Sequence, residues 1–216
     1  MKKLIVEFAG TFILMFTVGN AVISLHPLAA LAIGSALMIA VYAGGPVSGG
    51  HYNPAVSLAV WRRGKLSTEE LPRYLASQLA GAIVAAWLVR YLQSPSITAY
   101  AKAAFEATSK APPRTIATML AELVWTTVLP YVVLQGATTK KSQGNSYYGL
   151  AIGFTVATGA VALGNVSGGV FNPAVFIGLC ILGLKSWLSI FTFWIPQFLG
   201  GFLAAELFKR TTPDEE

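Results

Sequence analysis

Charged side chains are scarce in this sequence. They make up 11% of its 216 residues, whereas a soluble domain carries about 25%. Hydrophobic residues make up 55% and recur in runs long enough to cross a bilayer, which takes about 20 apolar residues per helix. The scarcity of charge excludes an ordinary soluble domain, and a membrane β-barrel would show short alternating segments that are absent here. The composition therefore predicts an all-α integral membrane protein that crosses the bilayer several times.

Reactive side chains are also few. The single cysteine, Cys180, excludes an internal disulfide and lies in an apolar run, where it reads as a small packing residue. The sequence has no nucleophile–base set, cluster of metal ligands or phosphate-binding loop, so we expect no enzymatic activity, no metal and no cofactor. The net charge of +6 comes from basic residues in short loops, which favours a role in membrane topology over nucleic-acid binding.

Six hydrophobic runs are long enough to span a membrane, and two are too short. The predicted spans are residues 4–25, 28–44, 70–92, 114–136, 147–164 and 187–208. The runs near residues 54–61 and 173–183 would cover only half a bilayer, so they are predicted to be re-entrant or interfacial. Gly44-Gly45-Pro46 is expected to close the second span. A polar connection at about residues 94–113 divides the chain into two halves.

The distribution of basic residues predicts the orientation, because cytoplasmic loops carry an excess of Lys and Arg. If both termini are cytoplasmic, ten basic residues lie inside and five lie outside, so this orientation is favoured. The inner set is Lys2, Lys3, Arg62, Arg63, Lys65, Arg73, Lys140, Lys141, Lys209 and Arg210. The outer set is Arg90, Lys102, Lys110, Arg114 and Lys185.

Short motifs recur in the two halves of the chain, which span about residues 1–93 and 114–210. At one constant offset, Ala32-Ile33-Gly34 recurs as Ala151-Ile152-Gly153, Ser48-Gly49-Gly50 as Ser167-Gly168-Gly169, Asn53-Pro54-Ala55-Val56 as Asn172-Pro173-Ala174-Val175, and Gln78 with Gly81 as Gln197 with Gly200. Each half holds three spans, an odd number, so the halves must cross the membrane in opposite senses. The two short helices are therefore predicted to enter from opposite faces and to meet at their N-termini near the midplane.

The meeting point of the short helices is the candidate functional site. Pro54 and Pro173 take the first helical position, where a missing N–H costs nothing, and Asn53 and Asn172 take the N-cap. Non-helical backbone at this depth is tolerated only where it is buried in protein or lines a water-filled cavity. The expected pore motifs are Asn53, Pro54, Ala55, Asn172, Pro173 and Ala174, and the expected pore carbonyls belong to Gly49, Gly50, His51, Gly168 and Gly169. Two positive helix ends that face one point would repel cations.

With these paired Ser-Gly-Gly-x-x-Asn-Pro-Ala motifs and inverted halves, the chain resembles the aquaporin (major intrinsic protein) family over essentially its full length. The resemblance implies one channel domain over residues 1–216, a right-handed bundle of six transmembrane helices plus two re-entrant half-helices. It implies a homotetramer with one pore per subunit, in a bacterial inner membrane. It also implies passive conduction of water or small uncharged solutes, with proton exclusion at the Asn pair.

The sequence departs from this family at the narrow outer constriction, where most members carry Arg three residues after the second Asn. The four corresponding positions are Ile33, Ala160, Gly169 and Val175, with Gly159 as an alternative to Ala160. Two small and two aliphatic residues predict a wider, more apolar opening, which suits polyols, urea or undissociated metalloid acids. In the alternative interpretation, a neighbouring side chain fills the space and water still dominates.

Glu7 and Glu122 lie inside predicted spans, where a carboxylate is costly unless it is paired. Their duplication as Glu-x-x-x-Thr in both halves favours a structural role, in which they accept hydrogen bonds from N–H groups of the re-entrant loops. The alternative, a proton or ion site, would indicate an ion-coupled secondary transporter. A structural junction protein is disfavoured because the outer loops are short. His51 is expected to pack beneath its loop, with its backbone carbonyl in the pore.

Overall fold

The computed structural model describes residues 1–95 and 115–215, together with residues 99 and 103. The α-helices in the described residues are α1 (Lys2–Ile23), α2 (Ala29–Ser48), α3 (Pro54–Arg62), α4 (Glu70–Leu92), α5 (Thr115–Ala137), α6 (Tyr148–Ser167), α7 (Pro173–Ile181) and α8 (Ile190–Thr211). Short 3₁₀ turns lie at Lys140–Ser142, Trp187–Ser189 and Pro213–Glu215. No strand occurs in these ranges.

Six of the helices in the described residues are long and apolar enough to cross a membrane. They are α1, α2, α4, α5, α6 and the continuous segment Trp187–Thr211 that contains α8. Each has 20 to 25 residues, so each reaches across the hydrocarbon core of about 30 Å. The chain is therefore a multi-pass membrane protein, and the predicted all-helical fold class is confirmed. Most of the predicted polar connection, with Lys102, Glu106, Lys110, the Pro112-Pro113 pair and Arg114, lies outside the described residues.

The predicted end of the second span at Gly44-Gly45-Pro46 is wrong, because α2 runs through Pro46 to Ser48. Proline keeps a helical φ and here removes only one hydrogen-bond donor near the end of the helix. The chain leaves the helix at Gly49, whose φ of 92° is readily adopted by glycine. In the second half, α6 likewise extends past its predicted end to Ser167 and stops at Gly168 with the same φ.

Glycine allows the two halves to approach closely where α2 crosses α6. A Cβ atom on Gly34 would lie 2.5 Å from the carbonyl oxygen of Gly153, and a Cβ on Gly153 would overlap the carbonyl oxygen of Gly34. Small residues let backbones meet in this way in membrane helix pairs. The repeated Ala-Ile-Gly motif therefore forms the central contact between the halves.

The half-helices α3 and α7 have nine residues each, or about 13 Å at 1.5 Å per residue. Each packs against the last span of the opposite half: α3 contacts α8, and α7 contacts α4. At one of these contacts the Cβ-free face of Gly201 lies directly against the backbone of Ala55. The halves are therefore interlocked rather than juxtaposed.

One face of the bundle gathers both chain termini. The Nζ of Lys3 lies 2.8 Å from a carboxylate oxygen of Glu70, and a guanidinium nitrogen of Arg62 lies 2.6 Å from a carboxylate oxygen of Glu206. These pairs join the starts of α1 and α4 and the ends of α3 and α8. Near the chain end, both carboxylate oxygens of Glu215 accept from the backbone N–H of Lys140 at 2.9 Å. Both termini therefore lie on the same side of the molecule.

Candidate functional site

The two Asn-Pro-Ala motifs are tied to each other at the centre of the bundle. The side-chain oxygen of Asn53 accepts from the N–H of Ala55 at 2.9 Å, and the oxygen of Asn172 accepts from Ala174 at 2.9 Å. Both side chains therefore cap their own half-helices, as expected of N-cap asparagines.

The amide nitrogens of the same asparagines reach across to the opposite loop. Asn53 Nδ2 donates to the carbonyl oxygen of Phe171 at 2.9 Å, and Asn172 Nδ2 donates to the carbonyl oxygen of Tyr52 at 3.0 Å. Because an amide carries two N–H donors, each asparagine retains one donor after making this cross-link. Both residues line the internal cavity, where that second donor can meet a solute.

The residues that precede the asparagines have a strained backbone. Tyr52 and Phe171 have φ of 48° and 47°, a left-handed conformation that is uncommon for bulky residues. It persists because both sides of each residue are anchored: the carbonyl accepts from the opposite asparagine, and the N–H donates to a buried carboxylate. Tyr52 donates to Glu7 at 2.8 Å and Phe171 donates to Glu122 at 2.7 Å.

Glu7 and Glu122 are fully buried behind the loops. Glu7 accepts from Ser48 Oγ at 2.7 Å and from the N–H of His51 at 3.0 Å, in addition to Tyr52. Its fourth donor is the Gln78 side chain at 2.7 Å.

Glu122 makes the corresponding contacts in the second half. It accepts from the N–H of Val170 at 3.1 Å and from the Gln197 side chain at 2.8 Å, in addition to Phe171. Neither glutamate belongs to the described residues that line the cavity. The carboxylates thus hold the loops in shape from behind, which is the arrangement that the structural interpretation requires.

A cavity of about 70 Å³ runs beside the paired motifs, with room for several water molecules. One side is a wall of aliphatic side chains from the spans: Leu14, Val18, Val22, Ile33, Leu37, Leu129, Val133, Ile152 and Val156. The other side is the re-entrant backbone with the two asparagines. An apolar wall facing a strip of polar groups binds a small solute weakly and in one orientation, which suits conduction.

The four predicted constriction residues all belong to the wall of this cavity. Ile33, Ala160, Gly169 and Val175 all line it. A Cβ on Gly169 would lie 3.0 Å from the Cα of Ala160, so α6 and the second loop are in close contact here. The alternative position, Gly159, lies against the indole of Trp125 instead. Ala160 therefore faces the cavity, and its role in selectivity stays a prediction.

The predicted pore carbonyls divide into two groups. His51, Gly168 and Gly169 line the cavity, whereas Gly49 and Gly50 are not among its lining residues. Within the described parts of the chain, no hydrogen bond is donated to any of these five carbonyl oxygens. Each remains available as an acceptor.

The His51 side chain is packed beneath its loop as well as bordering the cavity. Its Nδ1 lies 3.0 Å from Ser57 Oγ, and its ring lies 5.1 Å from the ring of Tyr74. Only 6% of the residue is exposed.

Besides the aliphatic wall, the cavity has a charged lining residue that the sequence does not predict as part of the site. Lys185, in the loop after α7, borders the cavity, and its Nζ lies beside Gly168. Its Nζ donates to the carbonyl oxygen of Ser167 at 2.8 Å and lies 4.9 Å from the centre of the Phe193 ring. Burial lowers the pKa of Lys185 from its ordinary value, and the charge of Glu122 partly offsets this shift. The sequence alone predicts only that Lys185 is a basic residue of an outer loop.

Comparisons with known proteins agree with this geometry. The family model described as "Major intrinsic protein" matches residues 1–164 and 140–216. Aquaporin AqpM of Methanothermobacter marburgensis is 30% identical, with 99% of this chain and 98% of that protein covered. Glycerol uptake facilitator protein-like 6 of Lactiplantibacillus plantarum is 33% identical, with 95% of each chain covered.

A solved structure supports the same fold. The X-ray structure of the aquaglyceroporin from Plasmodium falciparum superposes with a TM-score of 0.77 at 23% identity, covering 98% of this chain and 97% of that one. The inverted halves, the cross-linked Asn-Pro-Ala motifs and the match of the family model over the whole length together lead to one conclusion: the chain belongs to the major intrinsic protein family.

Proposed function

We propose that this chain is a passive channel for water and small uncharged solutes, which pass through the cavity beside the paired asparagines. The observation that carries the proposal is the composition of the cavity wall. Aliphatic side chains face a strip of backbone carbonyls and two asparagine amides that retain donors. Relatives named as aquaporins and as a glycerol uptake facilitator support this assignment.

The geometry suggests how neutral molecules pass while protons do not. A water beside Asn53 and Asn172 accepts a hydrogen bond from each amide, so its own hydrogens point away along the cavity in both directions. A chain of waters with opposite orientations on the two sides of this point does not relay a proton through it. The half-helices α3 and α7 also direct their positive N-terminal ends at the same place.

The opening formed by Ile33, Ala160, Gly169 and Val175 has no bulky or charged side chain among those four positions. An aliphatic opening with free carbonyls favours solutes that carry hydroxyl or amide groups on a small apolar frame. We therefore propose that glycerol, urea or undissociated metalloid acids pass in addition to water. Two small and two aliphatic residues leave a wider opening than an arginine and an aromatic ring would.

Stopped-flow light scattering on liposomes that contain the purified protein tests this function. We expect water and glycerol to equilibrate faster than in protein-free vesicles, and the solute flux to be unchanged by proton or sodium gradients. Flux that follows an ion gradient would contradict a passive channel and favour an ion-coupled transporter. Urea serves as a second solute with a different shape.

Assembly and location follow the same family pattern. We propose a homotetramer with one pore per subunit, in a bacterial inner membrane with both termini cytoplasmic. The apolar surface of the spans supports a location in the membrane. Lys3, Arg62, Glu206 and Lys209 lie on the face that holds the termini, and the basic residues there support a cytoplasmic position for that face. Cross-linking in native membranes tests the tetramer. Labelling of single cysteines introduced at either end of the Cys180→Ala variant, which removes the only native cysteine, tests the orientation.

A further inference from the structure

The cavity has a fixed cation at the end away from the chain termini. Among the described residues that line the cavity, Lys185 is the only lysine, arginine, aspartate or glutamate. Its Nζ lies beside Gly168, and the next residue, Gly169, packs against Ala160, so Lys185 is close to two positions of the predicted opening. Its side chain is partly buried.

Two contacts hold the ammonium group in place. It donates to the Ser167 carbonyl at 2.8 Å and lies over the face of Phe193 at 4.9 Å, a cation–π distance. A Cβ on residue 168 would lie 2.8 Å from Nζ, so Gly168 provides the space that the ammonium occupies. Lysine carries three N–H donors. Among the described residues, the Ser167 carbonyl is the hydrogen-bond acceptor that Nζ contacts, and the Phe193 ring covers another side of the ammonium group.

The first half of the chain shows that a charge is not needed for the structural part of this contact. There the equivalent carbonyl, that of Ser48, accepts from the neutral hydroxyl of Tyr74 at 2.8 Å. The residue that corresponds to Tyr74 under the repeat is Phe193, which has no hydroxyl. The second half thus replaces a neutral donor with an ammonium group that comes from another part of the chain.

We propose that Lys185 is a specificity-determining residue of this pore, supplying at its outer mouth the fixed positive charge that Val175 cannot supply. This inference rests on the proposed channel function. A unit charge beside a low-dielectric passage repels cations and leaves neutral solutes unaffected by charge. The opening therefore has small or aliphatic residues at four positions and a cationic side chain at a fifth, Lys185.

The test uses the full-length protein in liposomes, with water and glycerol flux and potassium leak measured on the same preparation. The main variant is Lys185→Gln, which removes the charge and retains a donor for the Ser167 carbonyl. We expect potassium leak to rise by about tenfold, the size expected when one unit charge several ångströms from the ion path is removed, with water flux retained. Lys185→Arg should keep the leak low.

Two further variants make the outcome specific to the position of the charge. Lys65→Gln alters an exposed lysine in the matching loop of the first half and should leave the leak unchanged. The double variant Val175→Arg with Lys185→Gln returns a positive charge to the same mouth and should lower the leak again. Unchanged potassium leak in Lys185→Gln, with water flux intact, would overturn the inference. Absence of any water or glycerol flux in the unaltered protein would instead overturn the channel function itself.

Discussion

The two motif regions share their hydrogen bonds and differ in the side chains around them. In both regions an asparagine caps a half-helix and a buried glutamate holds the preceding loop. Behind the first motif lie His51, Ser57 and Tyr74, which form a polar cluster. The repeat places Val170, Phe176 and Phe193 at the corresponding positions of the second, and the rings of Phe176 and Phe193 stack at 4.8 Å.

The shared hydrogen bonds and the different surroundings of the two motifs therefore serve two separate purposes. The hydrogen bonds that are common to both regions set the backbone path and the position of the asparagines. We propose that the unequal surroundings determine the polarity and charge of each pore mouth. Beside the first motif, the Ser48 carbonyl accepts from a neutral donor, the Tyr74 hydroxyl. On the side of the second motif the surroundings are apolar and Lys185 provides a charge.

The largest effect is expected from replacing Glu7, the buried carboxylate of the first half. Glu7 accepts hydrogen bonds from Ser48, His51, Tyr52 and Gln78, and Glu122 is held by the matching Ser167, Val170, Phe171 and Gln197. Glu7→Gln turns an acceptor oxygen into a donor and leaves buried N–H groups unpaired, at about 1–3 kcal/mol each. We expect less folded protein and a lower melting temperature in detergent, with a comparable loss for Glu122→Gln.

Fluorescence-detected size-exclusion chromatography after heating measures both glutamate variants under one set of conditions. A Glu7→Gln protein that folds normally but gains sensitivity to a proton gradient would contradict the structural role.

The next effect concerns the central asparagines. Replacing both Asn53 and Asn172 by Asp keeps the cap oxygens but removes the amide donors and adds negative charge at the midplane. We expect potassium leak to rise in the double variant, and the single variants to lie between it and the unaltered protein. If the leak is unchanged while water flux persists, the asparagine pair is not the central barrier.

A smaller effect is expected at the opening. Val175→Arg places a long side chain where Ala160 and Gly169 leave space. Glycerol permeability should fall more than water permeability, because the larger solute needs the width that the arginine occupies. Parallel stopped-flow traces for the two permeants check this prediction, and an equal fractional loss of both would contradict the assigned opening.

The comparison of Tyr74 with Phe193 separates hydrogen bonding from charge. Lys185→Met removes both the donor to Ser167 and the charge. Adding Phe193→Tyr should restore a donor by analogy with Tyr74 and Ser48, and recover about 1 kcal/mol of stability. The potassium leak should remain high. Recovery of low leak with a neutral donor would show that the charge of Lys185 is unimportant.

The smallest effect is a dependence on pH. The pKa of Lys185 is lowered mainly by burial, and the groups that influence it are Glu122 on α5 and Cys180 on α7. A lysine with a lowered pKa keeps its charge at low pH and loses it as pH rises, earlier than an exposed lysine does. Potassium leak should therefore increase toward alkaline pH in the unaltered protein and stay flat in Lys185→Gln. A flat profile in both proteins would contradict titration of Lys185.

Much of the fold follows from local signals in the sequence. Hydrophobic length identifies the six spans and the two half-helices, and the proline after each asparagine marks where α3 and α7 begin. The end of α2 was misplaced because proline is read as a helix breaker, although Pro46 fits within the last turn. Local propensity yields to the packed surroundings of Gly44, which lies against the Tyr52 side chain.

The site was predictable where the repeat applied and hidden where the repeat was broken. Asn53 and Asn172 follow from the matched spacing of the two halves, whereas the four opening positions follow from the family resemblance. Lys185 has no lysine at its matched position, where the first half has Leu66. Its contact with Ser167 depends on the chain turning back after α7. The change from Tyr74 to Phe193 was the available signal, since it marks a carbonyl that needs another donor.

The most direct test of the account is to measure glycerol flux, water flux and potassium leak in one preparation of liposomes that contain the unaltered protein. We expect glycerol and water both to equilibrate much faster than in protein-free vesicles, while potassium leak stays at the protein-free level. Fast water flux with glycerol flux at the protein-free level would contradict the wide opening at Ile33, Ala160, Gly169 and Val175.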